Sequence, residues 1–415
     1  MTATKKLRLQ LLQEALALMF IAHLALFGLA IPVPAQETAA PTPSTPETAT
    51  TTFTAAAGQQ VAVLLPLSGD FASLGKELQS GFELGFAFID AAGRKPDFTV
   101  TYLDSASNPE TAGTLVTMLA SEGRTLVAAG TPLNPCAFTA SRAAEDAGLP
   151  YIIVGADQDN LINAKSVSSF RLTRTRSALN NCLREFIKNR PSPIQSIGII
   201  HGENACAVRN SRRLRDLVAG LKLDLNIWET YRDNESNFYD LLNLVKERRP
   251  ELLMLVLKPD MTRKFWLQGK RLELLPPTTI ALPDGCFPAA AAETVASTPQ
   301  TRLIHPAAWQ PGDQAATSYP PLKNRFQAAA FAGAELICDA IDRAITEDAA
   351  GIRAALEATN LQTVYGPVAF SGPGRGHQNQ LPLKLVFEDE NGETQIALPL
   401  ARQGAAIAKP SAKPQ

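Results

Sequence analysis

The stretch VAVLLPLSGDFASLGKELQSGFELGFAFIDAAG, residues 61–93, contains the pattern that most of the chain repeats. An apolar run from Val61 to Leu65 breaks at Pro66, passes through the small-residue loop Ser68-Gly69-Asp70 and enters a long amphipathic segment near Ser73. Leu74, Leu78, Phe82, Gly85 and Ile89 recur at helical spacing, so the order is strand, loop, helix. Gly81 and Gly85 form a GxxxG pair, which in such a helix suits close packing against a sheet.

The same alternation runs on along the chain. Further strands are expected at Phe98–Leu103, Thr125–Ala129 and Tyr151–Val154, with helices over 73–91, 109–122 and 135–147. A second series follows: helix 177–189, strand 194–200, helix 205–220, strand 225–231, helix 237–249, strand 251–257, helix 260–274 and strand 278–282. Two series of similar size and rhythm predict two α/β lobes, each a parallel sheet covered by helices, rather than one oversized sheet. A strand near 301–305, a long helix from Leu322 to about Thr346, a shorter helix over 349–359, a hairpin-like pair at 366–370 and 382–388, and an Asn391-Gly392 turn are too few for a third lobe and complete those already begun.

Composition bounds the function. The chain has 415 residues, 45% of them hydrophobic, and a formal charge of −1, which argues against nucleic-acid binding. Lys5, Lys6 and Arg8 precede an apolar run from about Ala15 to Ile31 that ends in Val33-Pro34-Ala35, the layout of a secretory signal peptide. Cleavage after Ala35 removes three cations and Glu14 and leaves a mature charge of −3; retention as an anchor is the alternative, though the run is short for a bilayer span. Residues 36–58, rich in Thr, Ala and Pro, and the tail 401–415 lack the apolar side chains to offset chain entropy and are expected to be disordered. The five cysteines allow at most two bridges in an exported protein, and Cys182 with Cys206 is the pairing expected, since both fall in the second series.

Motifs for chemistry are missing. His201, His305 and His377 are far apart, with no metal-ligand spacing, and there is no GxSxG elbow or GxxxxGK[ST] loop. GPGRG at 372–376 is interrupted by Pro373 and not followed by a helix, so it reads as a loop. Strand-end carboxylates such as Asp104, Asp157, Asp260 and Asp284 read first as helix caps or solvated loop residues, and no enzyme, metal or cofactor is expected.

Ligands in open α/β sheets bind outside the carboxyl ends of the strands, where helix N-termini present free N–H groups. PLSGDFASLG (66–75), GTPLNPCAF (130–138) and GADQDNLI (155–162) occupy that position. Their order, with RPELLMLVLKPDMTRKFW and the closing TVYGPVAFSGPGRG, resembles type I periplasmic binding proteins of the leucine/isoleucine/valine-binding class over nearly all of 59–400. The resemblance implies two Rossmann-like lobes joined by three crossovers, lobe 1 from 59–172 plus about 303–380 and lobe 2 from 173–302 plus about 381–400. It implies a small ligand clamped between them by hinge closure, delivery to an inner-membrane ABC permease, a periplasmic location and a monomer.

By the same resemblance, ligand contacts fall on Ser68, Gly69 and Leu74 of the first loop, on Leu133 and Asn134 where the third helix opens, and on Ala156 and Asp157 after the fourth strand. Glu203 or Asp260 of the second lobe would meet an ammonium group. The chain departs from the family pattern at Asn134-Pro135, where hydroxyls are usual and Pro135 removes a donor, and at 204–207, NACA, where amino-acid binders commonly carry Tyr-Gly. The first-strand stretch also resembles envelope modules of the same fold, activators of peptidoglycan synthases or ligand-sensing receptors, which have no transport role. The Thr/Pro tether suits those, while the lack of an N-terminal helical-repeat domain and of a lipobox Cys counts against the activators.

Overall fold

Buried on all six residues, β1 (Gln60–Leu65) is the strand on which the first sheet is built. It pairs in parallel with β2 (Thr99–Asp104) on one side and β3 (Thr125–Gly130) on the other. Beyond β3 follow β4 (Tyr151–Ile153), β5 (Ser169–Arg171) and the two-residue β13 (His377–Gln378), all parallel. A strand covered on both faces has no polar side to show, and so β1 reads as a continuous apolar run. Val61, Val63 and Leu65 pack against α1 (Ala72–Ala91) and α8 (Arg325–Arg343), while Ala62 and Leu64 face α2 (Pro109–Glu122) and α3 (Asn134–Ala147). The structure, a computed structural model, describes residues 58–94, 96–190, 192–232, 237–276, 278–283, 301–309, 319–370, 376–388 and 394–399. The expected signal segment, nearly all of the tether, most of the GPGRG loop, the Asn391-Gly392 turn and the tail lie outside them.

The second sheet has the order β15 (Thr394–Pro399), β14 (Lys384–Glu388), β10 (Thr301–Ala307), β9 (Thr278–Ala281), β8 (Leu252–Val256), β6 (Ser196–Gly202), β7 (Asp224–Tyr231). It is parallel from β10 to β7 and antiparallel where β14 and β15 are added. One face is covered by α4 (Arg176–Lys188) and α5 (Ala205–Gly220), which bury Leu183 and Leu214 on Ile197 and Ile199. The other is covered by α6 (Tyr239–Arg248) and α7 (Pro259–Arg271), which bury Leu242, Phe265 and Trp266 on Ile200 and Leu255. The chain passes between the sheets three times: from β5 to α4, from β10 to α8, and from β13 to β14. The fold is thus α/β, two lobes of the type I periplasmic binding protein architecture.

Four readings need correction. Pairing with β9 and β14 keeps the chain in the second sheet through Ala307, past the change-over expected near 303. The segments at 366–370 and 382–388 do not form a hairpin: β12 (Gly366–Ala369) pairs with β11 (Asn360–Thr363) across a two-residue turn, which Gly366 closes at φ +115°, and β14 pairs with β10 and β15. The GxxxG helix is packed closely against another helix, not against the sheet. A Cβ on Gly81 would lie 2.3 Å from the Gln327 carbonyl oxygen of α8, and one on Gly85 would lie 2.8 Å from the Ala334 Cβ. Cys182 and Cys206 are both unbridged, Cys182 turned into the core beneath α4 and Cys206 exposed on the first turn of α5, so the two side chains point into different surroundings. Cys136 and Cys338 are buried, and Cys286 lies outside the described residues.

Candidate functional site

Asp104, at the end of β2, organises the first of the three loops. Its Oδ1 accepts from the N–H groups of Leu67 (2.8 Å), Ser68 (3.1 Å) and Ala106 (2.7 Å). Burial alone would raise its carboxyl pKa, but the hydrogen bonds from the Ser68 side chain and from the Ala106, Ser68 and Leu67 N–H groups outweigh that and hold it below the usual carboxylate range. The Ser107 hydroxyl donates to the Ser68 carbonyl at 3.0 Å. Gly69 sits at φ +77°, with Ala106 and Ser107 opposite it at φ +50° and +57°. Ser68 and Gly69 are therefore exposed on a rim welded to the next loop, and Leu74 packs partly buried on the first-lobe core.

The second and third loops are joined to each other by Asn134. Its Oδ1 accepts from the N–H groups of Asp157 and Gln158, both at 2.9 Å, and its Nδ2 donates to Asp157 Oδ1 at 3.0 Å. Asp157 Oδ2 lies 2.6 Å from Arg176 of α4, whose backbone N–H also donates to the Asp157 carbonyl. The structure thus brings together Asn134, Ala156 and Asp157, but commits the two polar side chains to the protein itself. Ala156 is buried, with its carbonyl accepting from Thr173, and Leu133 packs partly buried on the second-face core of the first lobe. The one hydroxyl at the end of β3, on Thr131, is buried against Gly130 and the Tyr151 hydroxyl.

Across the lobes, Glu203 is exposed just before Asn204, the residue that caps α5, and Asp260 is exposed in the first turn of α7. Beside the Asp157–Arg176 pair, the contacts that join the lobes are made by residues that sequence reasoning missed. Asp159 follows Gln158 in a short 3-10 turn, Asp159–Leu161, anchored in the first lobe by buried Leu161. Its Oδ1 accepts the Ser177 N–H of α4 at 3.0 Å, and its Oδ2 meets Arg213 of α5 at 2.8 Å. Arg171, 1% exposed at the end of β5, donates to the Gln158 carbonyl and to the Gln378 side chain. Burial lowers its pKa to about 10, against the pull of the Asp159 and Asp157 carboxylates. No local pattern marks Arg176 or Arg213, because their partners lie 19 and 54 residues away in sequence.

Backbone donors remain at the rim. Asn108, Thr175, Asn204, Asn324 and Asp348 place a side-chain cap on α2, α4, α5, α8 and α9 (Ala349–Glu357). Within the first lobe, α1 and α3, the helices that open from the first two candidate loops, start after Phe71 and Leu133 with no side-chain cap, as α6 and α7 do in the second lobe. The N–H groups of Ser73 and Leu74 meet no protein acceptor among the described residues. A helix start of this kind favours an anionic group. Among the described residues no cluster of His, Cys, Asp and Glu could hold a metal ion, and no helix is long and apolar enough to cross a membrane.

A family model described as "Periplasmic binding protein" matches residues 58–393. Similar solved structures include the branched-chain amino acid substrate-binding protein LivJ from Streptococcus pneumoniae in complex with isoleucine, at 17% identity and a TM-score of 0.66, covering 81% of this chain and 99% of that one. The leucine-binding protein LivK from Thermotoga maritima shows 13% identity and a TM-score of 0.65, covering 81% and 97%. An ABC transporter solute-binding protein from R. palustris in complex with benzoate shows 19% identity and a TM-score of 0.65, covering 83% and 98%. At these identities the likeness is one of fold.

Proposed function

The chain belongs to the periplasmic binding protein family, and from that premise we propose that it is the extracytoplasmic solute-binding component of an ABC uptake system. It would hold a small ligand carrying a carboxylate, an amino acid or a related amide or organic acid, between its lobes and release it to an inner-membrane permease. The process is binding and hinge closure, with no bond made or broken. The observation that carries the reading is the contrast in helix starts: capped elsewhere in the first lobe, but bare at α1 and α3, the two helices that open from the candidate loops. The bound isoleucine and benzoate of two similar structures are both carboxylates, which supports the same class. The apolar segment before Ala35 supports export to the periplasm.

A second reading draws on Asn134 and Asp157. Side chains spent on each other and on Arg176 are what a scaffold would show if its cleft no longer served a ligand, as in an envelope interaction module of the same fold. A thermal-shift screen over amino acids, amides, short organic acids and aromatic acids separates the two. A ligand at a hundredfold excess over its Kd adds about 2.7 kcal/mol of stability. If no compound raises the melting temperature while a cell-wall synthase is retained on the immobilised protein, the uptake reading is wrong.

A further inference from the structure

Two carboxylates of the first lobe, Asp157 and Asp159, stand two residues apart on one short loop and receive three donors from the second lobe. These are the Arg176 guanidinium at 2.6 Å, the Ser177 N–H at 3.0 Å and the Arg213 guanidinium at 2.8 Å. The three donors are of two kinds. Arg176 and Ser177 belong to the first turn of α4, directly after the crossover from β5, so they stay beside the loop as the lobes turn about that crossover. Arg213 is carried by α5, beyond the whole of β6, and its place is set by the body of the second lobe. The loop in turn is fixed in the first lobe by Leu161, buried in its core, and by Asn134, which holds the N–H groups of Asp157 and Gln158.

From this geometry we infer that Asp159 and Arg213 are positioning residues that hold the lobes together in the absence of ligand, and that Asp157 with Arg176 is the pin about which they turn. The clasp lies on the loop that continues the candidate ligand site. Its strength therefore sets how much of the protein is already closed when ligand arrives, and apparent affinity falls as the competent fraction falls. That last consequence rests on the solute-binding reading; the clasp itself does not. The side chains of Arg213 and Asp159 are 40% and 28% exposed, so the pair is screened, and its loss should shift the ratio of closed to open protein by about two- to fivefold.

Asp159→Asn removes the charge but keeps an oxygen for the Ser177 N–H, so the start of α4 is preserved; Arg213→Gln removes the other half. The lobe separation is read by pulsed electron-spin resonance between labels at Ser121→Cys on α2 and Glu247→Cys on α6, both exposed, with Cys206 and Cys286 replaced by serine. Each single variant should lower the closed-to-open ratio about two- to fivefold, the double variant should add nothing further, and the swap Asp159→Arg with Arg213→Asp should restore part of the closed population. Added NaCl should open the parent protein and leave the double variant unchanged. Identical distance distributions in parent and variants, or single effects that add in the double variant, overturn the inference. If the thermal-shift screen yields a ligand, its Kd should weaken by the factor by which the closed fraction falls. If it yields none, the solute-binding reading fails while the label distances still decide the clasp.

Discussion

Glu335 is a carboxyl whose titration should be visible in the stability of the whole first lobe. It projects from α8, where Oε2 accepts the Val364 N–H at 2.9 Å and Oε1 accepts the Tyr319 hydroxyl at 3.1 Å. It thereby joins α8 to the β11–β12 turn and to the end of the second crossover, where the Tyr319 ring packs on Phe88 and Phe331. Burial pushes its pKa from 4.5 to about 7, although the Val364 N–H, the Tyr319 hydroxyl and Arg94 all favour the ionised form. An acid whose folded pKa is raised favours folding most when protonated. The unfolded chain gives up this proton near pH 4.5 and the folded chain only near 7, so stability falls across that window and levels off above it. The size of the fall is about 3 kcal/mol, the cost of holding a group that distance above its ordinary value. In Glu335→Gln the carbonyl oxygen can still accept from Val364 and the amide can donate to the Tyr319 oxygen, so both links survive without a charge. Urea unfolding of the two proteins at intervals from pH 4.5 to 8.5 isolates this group from all others. The variant should match the parent within about 1 kcal/mol at pH 4.5 and exceed it by about 2–3 kcal/mol at pH 8. A variant that is less stable at pH 8, or a difference that does not change with pH, refutes the reasoning.

Two further outcomes are expected. Gly81→Ala gains about 1 kcal/mol of helix propensity but drives a methyl to 2.3 Å from a backbone oxygen of α8, which no side-chain rotation relieves. The net result should be a loss of about 1–2 kcal/mol, read as a lower urea midpoint with unchanged slope; a stabilised variant would show that α1 and α8 are not in contact there. Gly69→Val is a poor probe of ligand binding, because the residue is left-handed and its Cβ would meet Ser107 Oγ at 3.1 Å and the Ala106 oxygen at 3.2 Å. It should lower stability by about 1–2 kcal/mol in calorimetry whether or not the cleft binds anything, and normal melting would place the loop in another conformation.

The lobes were legible because their strands are covered on both faces, which leaves continuous apolar runs such as Val61–Leu65 and Leu252–Val256 that need no partner to be recognised. The edge of the first sheet was not. In β5 three residues, Ser-Phe-Arg, include a buried charge, and β13 has only two residues; both are strands by virtue of their neighbours. Arg171 is tolerated there because Gln158 and Gln378 reach it from 13 and 207 residues away, a distance no pattern spans.

The rim shows the same limit in a sharper form, since acids in nearly identical sequence settings have different fates. Asp104, Asp157 and Asp260 stand at or just beyond a strand end, and the sequence offers each as a cap or a solvated acid, Asp157 and Asp260 also as ligand contacts, while Asp159 carries no such mark. Asp104 gathers backbone N–H groups from its own loop and the neighbouring one, so it shapes the rim. Asp157 turns to Asn134 and Arg176 and becomes part of the crossover. Asp159, two residues on, reaches the other lobe, and Asp260 stays exposed at the start of α7. What separates them is the identity of the donor that the fold brings within about 3 Å: for Asp157 one of its two side-chain donors, Arg176, and for Asp159 both donors belong to the second lobe. A residue on the loop of a binding cleft can therefore act on the ligand through the angle of the lobes instead of through contact. In that case a variant at Asp159 changes affinity and lobe separation together, whereas a contact residue changes affinity alone.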